Sequence, residues 1–455
     1  MRKPWSKWLA LVVVLAFVFG SFISSVTDSS VMAEPQTARY KGIKNIIVLI
    51  GDGMGPSYMT AYRYFKDDPS TRVMESTAFD RHLVGAAKTY SWDEEENITD
   101  SAAAATSMAA GIKTYNGAIS VDMDKRPVQT VLERAKELGK STGLVSTSQI
   151  THATPAAFGA HDESRNNYDA IADDFYDERI RGKHKIDVML GGGTDYFIRD
   201  DRNLVKLFKR DGYSYVTNRK EMFRTRNDQV LGLFAEVGLP KAIDRPDDVP
   251  SLEEMTNFAI ERLSKNRKGF FLMVEGSQID WAGHDNDIVA AMSEMQDFEE
   301  AFQAAIDFAK KDGRTLVVAT ADHSTGGLSI GRDGEYKWDT APIKQAKRTP
   351  EFMAAQIADG ADVERTLDEY IAFGLTDDEI QSVKEAEETG DESEIHRAIA
   401  NIFDERSLTG WTTGGHTGED VNVYAYGPGK EMFAGLIDNT DIANNIFKIM
   451  GKRHR

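Results

Sequence analysis

Hydrophobic positions along the chain fall into two rhythms. Apolar runs at 46–50, 143–146, 188–190, 270–274, 316–319 and 421–426 look like buried strands. Between them the apolar residues change to helical spacing. Val128, Val131, Leu132, Ala135 and Leu138 follow it and stop at Gly139. Ser251 and Glu254 form a capping box ahead of Met255, Phe258 and Leu263, and Met295, Phe298, Phe302 and Ile306 line a further helix. These Met and Phe stripes read as core. Strand–helix alternation predicts an α/β fold, a three-layer α/β/α sandwich with a central, mostly parallel sheet. No internal repeat is visible. Between Gly327 and Trp411 the pattern becomes charged and helical, with a capping box at Thr376 and Glu379. It predicts a helical insertion over about 328–410, lying near the functional site.

The N-terminus departs from both rhythms. Arg2, Lys3 and Lys7 precede an apolar stretch from Leu9 to Phe19, and Val31-Met32-Ala33 offers a small-residue cleavage site before Glu34. That is a signal-peptide pattern over 1–33, and it is short for a retained anchor. The expectation is a secreted, periplasmic or extracellular chain, with 34–455 as one catalytic domain and no transmembrane anchor after cleavage. Net charge is −19, and about −21 without the leader. So acidic a chain does not attract nucleic acid, and an anionic substrate needs a local positive site. With no cysteine, transition-metal sites must be built from His, Asp and Glu.

Acids and histidines cluster where the predicted strands end, the place where open α/β sheets bind ligands. NIIVLIGDGMG places Asp52 after a strand. FFLMVEGSQIDWAGHD places Glu275 at a strand end, with Asp280 and His284 one helical turn apart. TLVVATADHSTGG adds Asp322 and His323, and WTTGGHTGED adds His416. Four converging carboxylates either take up protons or bind cations, and interleaved histidines favour cations. Three divalent ions against four carboxylates leave a charge of about +2, which a phosphate dianion balances. THATPAAFGAHDESR supplies His152 and Thr154 near a metal and Arg165 for bidentate phosphate binding. In NITDSAAAATSMAAG, Ser101 stands at a helix start with no histidine nearby in sequence. A coordinated cation would lower the pKa of its hydroxyl and replace a general base.

Taken together, GDGMG, TDSAAAAT, THATPAAF with HDESR, VEGSQIDWAGHDND, TADHSTGG and GGHTGEDVNVYAYGPG resemble the alkaline phosphatases over essentially the whole mature chain. The secreted Bacillus-type branch is most similar. The resemblance implies hydrolysis of a broad range of phosphate monoesters through a phosphoserine on Ser101. It implies two Zn2+ and one Mg2+ per chain. Asp280, His284 and His416 would hold the first zinc. Asp52, Asp322 and His323, joined by Ser101, would hold the second. Asp52, Thr154 and Glu275 would hold magnesium, and Arg165 would bind phosphate. Family members vary at His152 and Trp281, which are read as supporting residues beside the ligands. A homodimer is also implied.

Three rivals stand beside this reading. A related diesterase or sulfatase would carry a different nucleophile context than DSA. An exported phosphate- or metal-binding protein would use Ser101 only as a helix residue. A metal-free Ser-His-Asp hydrolase lacks its G-x-S-x-G elbow here and leaves the extra acids unexplained.

Overall fold

The structure is a computed structural model that describes residues 42–451; the signal segment expected over 1–33 lies outside them. Ten strands form one sheet. In chain order they are β1 (Asn45–Gly51), β2 (Leu83–Lys88), β3 (Ser141–Gln149), β4 (Val188–Gly192), β5 (Ser214–Val216), β6 (Val230–Leu233), β7 (Phe270–Gly276), β8 (Thr315–Ala321), β9 (Val421–Tyr426) and β10 (Gly435–Asp438). Across the sheet the order is β10-β2-β9-β8-β1-β7-β3-β4-β6-β5. Only β9 runs against the rest: its pairings with β8 and β2 are antiparallel and every other pairing in this sheet is parallel. The expected parallel α/β architecture is therefore present. β1, β7 and β8 are buried along their whole length, which is why they read as continuous apolar runs.

Two groups of helices pack around this sheet. α1 (Ser101–Ala110), α2 (Val131–Glu137) and α3 (Ala153–Gly159) pack on one another and are joined by the C-terminal helix Thr440–Ile449. α4 (Leu252–Leu263) and α6 (Ile288–Asp312) form the other group, with the short α5 (Gln278–His284) leading into α6. α1 is alanine-rich and buried along its entire length, so small side chains let it sit close to its neighbours. The capping boxes at Ser251/Glu254 and Thr376/Glu379 are both formed. α2 starts later than its apolar spacing predicts. Thr130 caps it in a third capping box, and Val128 lies outside, its N–H bonded to Ser120 O.

Residues 341–407 carry five helices, the longest Glu392–Ser407. The segment is closed at its base by a two-residue antiparallel ladder of Ser329–Ile330 with Thr409–Gly410. Among the described residues no helix is long and apolar enough to cross a membrane.

Candidate active site

Strand register assembles the acids. β1 and β8 pair with Gly51 opposite Ala321, so the next residues, Asp52 and Asp322, leave the sheet side by side. β1 and β7 pair with Ile50 opposite Glu275 on the other flank. Neighbouring strands lie about 4.8 Å apart, so three carboxylates share one buried space at the C-terminal ends of the central strands. The chain then turns at Gly53, with φ +69°, where a Cβ would sit 2.8 Å from the Asp280 Cα. Glycine there permits α5 to bring Asp280 against the strand ends.

Several polar atoms in this space are buried and without a hydrogen-bond partner. They are both carboxylate oxygens of Asp52, Glu275 Oε1, Asp322 Oδ2, Thr154 Oγ1 and His152 Nδ1. Burial raises the Asp52 carboxyl well above the usual range, and the charges of Asp322, Asp280 and Glu275 raise it further. Asp322 is pushed up to about 7, again chiefly by burial. Burial raises Glu275 too, opposed by hydroxyl groups such as that of Ser146, which donates to Oε2 at 2.7 Å. Orphaned oxygens on crowded acids are what a cation site looks like without its ion. Ligand atoms of Asp52, Asp322 and His323 lie within 4.8 Å of one another; so do those of Asp52, His152 and Glu275, and those of Asp280, His323 and His416.

The histidines have their protons placed by second contacts. His284 Nδ1 lies 2.6 Å from Gly414 O, and His416 Nδ1 lies 3.0 Å from Thr99 O. A carbonyl only accepts, so each Nδ1 carries hydrogen and each Nε2 presents a lone pair. These two Nε2 atoms are 3.2 Å apart, with Asp280 oxygens 3.3 Å from His284 and 3.6 Å from His416. Two lone pairs and a carboxylate facing one another require a cation between them. In the cation-free chain a proton serves: its bond to Asp280, ahead of the burial that opposes it, raises His284 to about 9.

Ser101 opens α1 and is almost wholly buried, with Asp100 as N-cap accepting from Ala103 N at 2.9 Å. Its Oγ lies 3.2 Å from His323 Nε2. That same Nε2 is 3.4 Å from Asp52 and 3.3 Å from Asp322. In a Ser-His-Asp triad the acid holds the ring nitrogen opposite the serine. Here serine and both acids meet on one nitrogen, which suits a shared cation and not a charge-assisted base. The opposite nitrogen, Nδ1, faces Thr325 Oγ1 at 3.3 Å.

Arg165 is held in a fork. One guanidinium nitrogen donates to Asp100 Oδ2 at 3.0 Å, and the other to His152 Nε2 at 3.0 Å. Accepting from Arg165 fixes hydrogen on the His152 Nδ1, which is buried and has no hydrogen-bond partner. Burial, with Arg165 beside it, depresses His152 to about 3, so the ring stays neutral. Trp281 packs its ring edge-on to His152, with centroids 6.0 Å apart, and Lys241 Nζ stands 5.5 Å from the Trp281 ring centre.

Asp52, Glu275, Asp280, His284, Asp322, His323, His416, His152, Ser101 and Arg165 are thus linked by these contacts, and Thr154 stands buried with a free hydroxyl. Sequence reasoning passed over two residues. Asp100 ties the start of α1 to Arg165, a role its position before Ser101 would have suggested. Thr325 follows His323 by two, the spacing that puts two extended residues on one face. Two cavities border the histidines. One of about 370 Å³ runs along Glu95, Glu96, Thr99 and His416, and one of about 470 Å³ lies between His284 and the helical segment at Arg332, His396 and Asp404.

Comparison with known proteins places the chain among one family. A family model described as alkaline phosphatase matches residues 43–452. Alkaline phosphatase 3 of Bacillus subtilis is 63% identical over 453 residues, covering 99% of this chain and 98% of the relative. Alkaline phosphatase 4 of the same organism is 54% identical over 446 residues, covering 98% and 97%. Among solved structures, the cold-active alkaline phosphatase of a psychrophilic Shewanella superposes with TM-score 0.84 at 46% identity, covering 90% of this chain and all of that one.

Proposed function

The chain belongs to the alkaline phosphatase family, and from that premise we propose that it hydrolyses phosphate monoesters through a covalent phosphoserine on Ser101. It is a phosphatase of a metal-dependent family. The proposal concerns which residues act and how. The observation that carries it is the convergence of Ser101 Oγ, Asp52 and Asp322 on one nitrogen of His323.

In this reading Asp280, His284 and His416 hold one Zn2+; Asp52, Asp322 and His323 hold a second together with Ser101; Asp52, Thr154 and Glu275 hold Mg2+. The orphaned oxygens and the inward-facing Nε2 atoms fit that ligand set. Bound there, the ions would offset the four acids, favour the alkoxide of Ser101 and carry charge that develops on the leaving oxygen.

The chain's own residues supply the rest. Ser101 Oγ attacks phosphorus and the alcohol departs on the side of His284 and His416. Water then cleaves the phosphoserine and releases inorganic phosphate. Arg165, steadied by Asp100 and His152, presents guanidinium donors to the equatorial oxygens. The N-terminus of α1 adds backbone N–H groups and a favourable dipole for the same negative charge. His152 has its Nε2 lone pair taken by Arg165 and stands beside Asp52 and Glu275, which suits orienting a water there better than direct coordination. The open cavities beside His284 and His416 leave the alcohol largely ungripped, which supports a broad range of monoesters.

The proposal extends to the whole chain. Residues 1–33 act as a cleaved signal for export, 34–455 form one catalytic domain with 328–410 inserted beside His284, and two chains form a homodimer. The nucleophile is tested by labelling with a phosphorus-32 monoester, quenching in acid and mapping the labelled peptide. Label on Ser101, absent from Ser101→Ala, is the expected result. A full-strength phosphoserine adduct in that variant rejects the assignment.

A further inference from the structure

We propose that Thr325 is a positioning residue that orients one ligand in each of the two zinc sites at once. This rests on the two-zinc reading above. Thr325 is fully buried and pairs with His416 in a two-residue ladder of Ser324–Thr325 with His416–Thr417. Its carbonyl accepts from the Tyr58 hydroxyl at 2.7 Å, which anchors the backbone. Its hydroxyl has two polar contacts among the described residues. Oγ1 lies 2.5 Å from Asp280 Oδ1 and 3.3 Å from His323 Nδ1.

A hydroxyl has one hydrogen. The short contact to a carboxylate oxygen uses it, so Thr325 donates to Asp280. Toward His323 the same oxygen can only accept, and Nδ1 must carry the ring's hydrogen. The lone pair of His323 is thereby fixed on Nε2, the nitrogen that faces Ser101, Asp52 and Asp322. At the other end, the donated hydrogen holds Asp280 Oδ1 and leaves Oδ2 toward His284. One hydroxyl therefore sets the ring orientation in one site and the carboxylate orientation in the other. The neighbours leave it no slack. A Cβ on Gly53 would lie 2.7 Å from Oγ1, and one on Gly283 would lie 3.0 Å from the Thr325 Cβ.

Outer contacts to metal ligands typically change metal affinity by about 10–100-fold when removed. Thr325→Val keeps the shape and deletes the hydroxyl; Thr325→Ser keeps the hydroxyl and deletes the methyl. Zinc bound per purified mature chain is measured by mass spectrometry at a series of buffered free-zinc concentrations. The expected result is that both uptake steps of T325V shift to about tenfold or more higher free zinc, while those of T325S stay near the parent protein's. Thermal unfolding of the zinc-free forms checks that both variants are folded. If T325V does not fold, the same comparison is made between Thr325→Ala and T325S. The inference is overturned if T325V loads zinc as the parent does, if only one of the two steps moves, or if T325S shifts as far as T325V. Failure of the parent protein to take up two zinc ions overturns the two-zinc reading itself and this inference with it.

Discussion

Replacing Asp322 by asparagine is predicted to change stability in opposite directions with and without cations. In the cation-free fold the Asp322 carboxyl is pushed from 3.8 to about 7, burial being the largest cause. A buried acid whose folded pKa exceeds its unfolded one leaves stability intact below the unfolded value. It withdraws that stability as pH rises through the folded value. Each pKa unit is about 1.4 kcal/mol, so ionising Asp322 costs about 4 kcal/mol between pH 4 and pH 8. Asparagine keeps the Oδ1 that accepts from Gly53 N and His323 N, and places an amide where the charge stood. Chelated D322N is therefore expected to gain about 4 kcal/mol on the chelated parent as pH rises from 4 to 8. Asp52, which the Asp322 charge raises, is relieved by the same substitution and adds to the difference in the same direction. With zinc present the same change removes a ligand and destabilises. Urea unfolding of both proteins, chelated and loaded, at several pH values makes the comparison. A difference between the chelated proteins that does not change with pH, or the same sign in both forms, refutes the reasoning.

Two other predictions concern residues away from the acid cluster. Glu294, buried on α6 and accepting from Ala242 N at 2.6 Å, is pushed up to about 7, mainly by burial and then by Asp297. Its contribution is lost as pH rises from about 4.5 to 7, so Glu294→Gln should stabilise the protein by up to about 3 kcal/mol at pH 8 and little at pH 4, read by urea midpoints at both. Asp100 accepts from Ala103 N, Gly117 N and Arg165. Asp100→Ala should cost about 1–2 kcal/mol of stability through the lost cap and raise KM for monoesters severalfold through the loosened arginine. Asp100→Asn should restore the cap but not KM, and equal KM in all three proteins would contradict this role.

How far the sequence foretold the structure depends on what each residue buries. β1, β7 and β8 were legible because both faces are covered and their central stretches, 46–50, 270–274 and 316–319, are apolar. β3 extends beyond the predicted run 143–146, because the polar residues Thr147, Ser148 and Gln149 are buried, Ser148 as a hydroxyl partner of Ser146 and Ser277, and do not read as strand. β2 and β10 at one margin carry exposed residues such as Leu83 and Leu436, and β5 spans three residues, so none shows a hydrophobic pattern. In the site, the acids were legible from their place after strands, and Asp280 with His284 from helical spacing. The pairing of Arg165 with Asp100 and His152 joins segments that only folding brings together, and no local pattern announces it. The protons on His284, His416 and His323 depend on Gly414, Thr99 and Thr325, contacts that a linear reading does not contain.

The account's central claim is that bound cations activate Ser101. It is tested most directly by assaying p-nitrophenyl phosphate hydrolysis and metal content on one sample of mature protein, before chelation, after it, and after zinc and magnesium are returned. The account predicts that activity disappears with the metal and comes back with it, in proportion to zinc bound. A metal-free protein that still turns over at the full rate would contradict it.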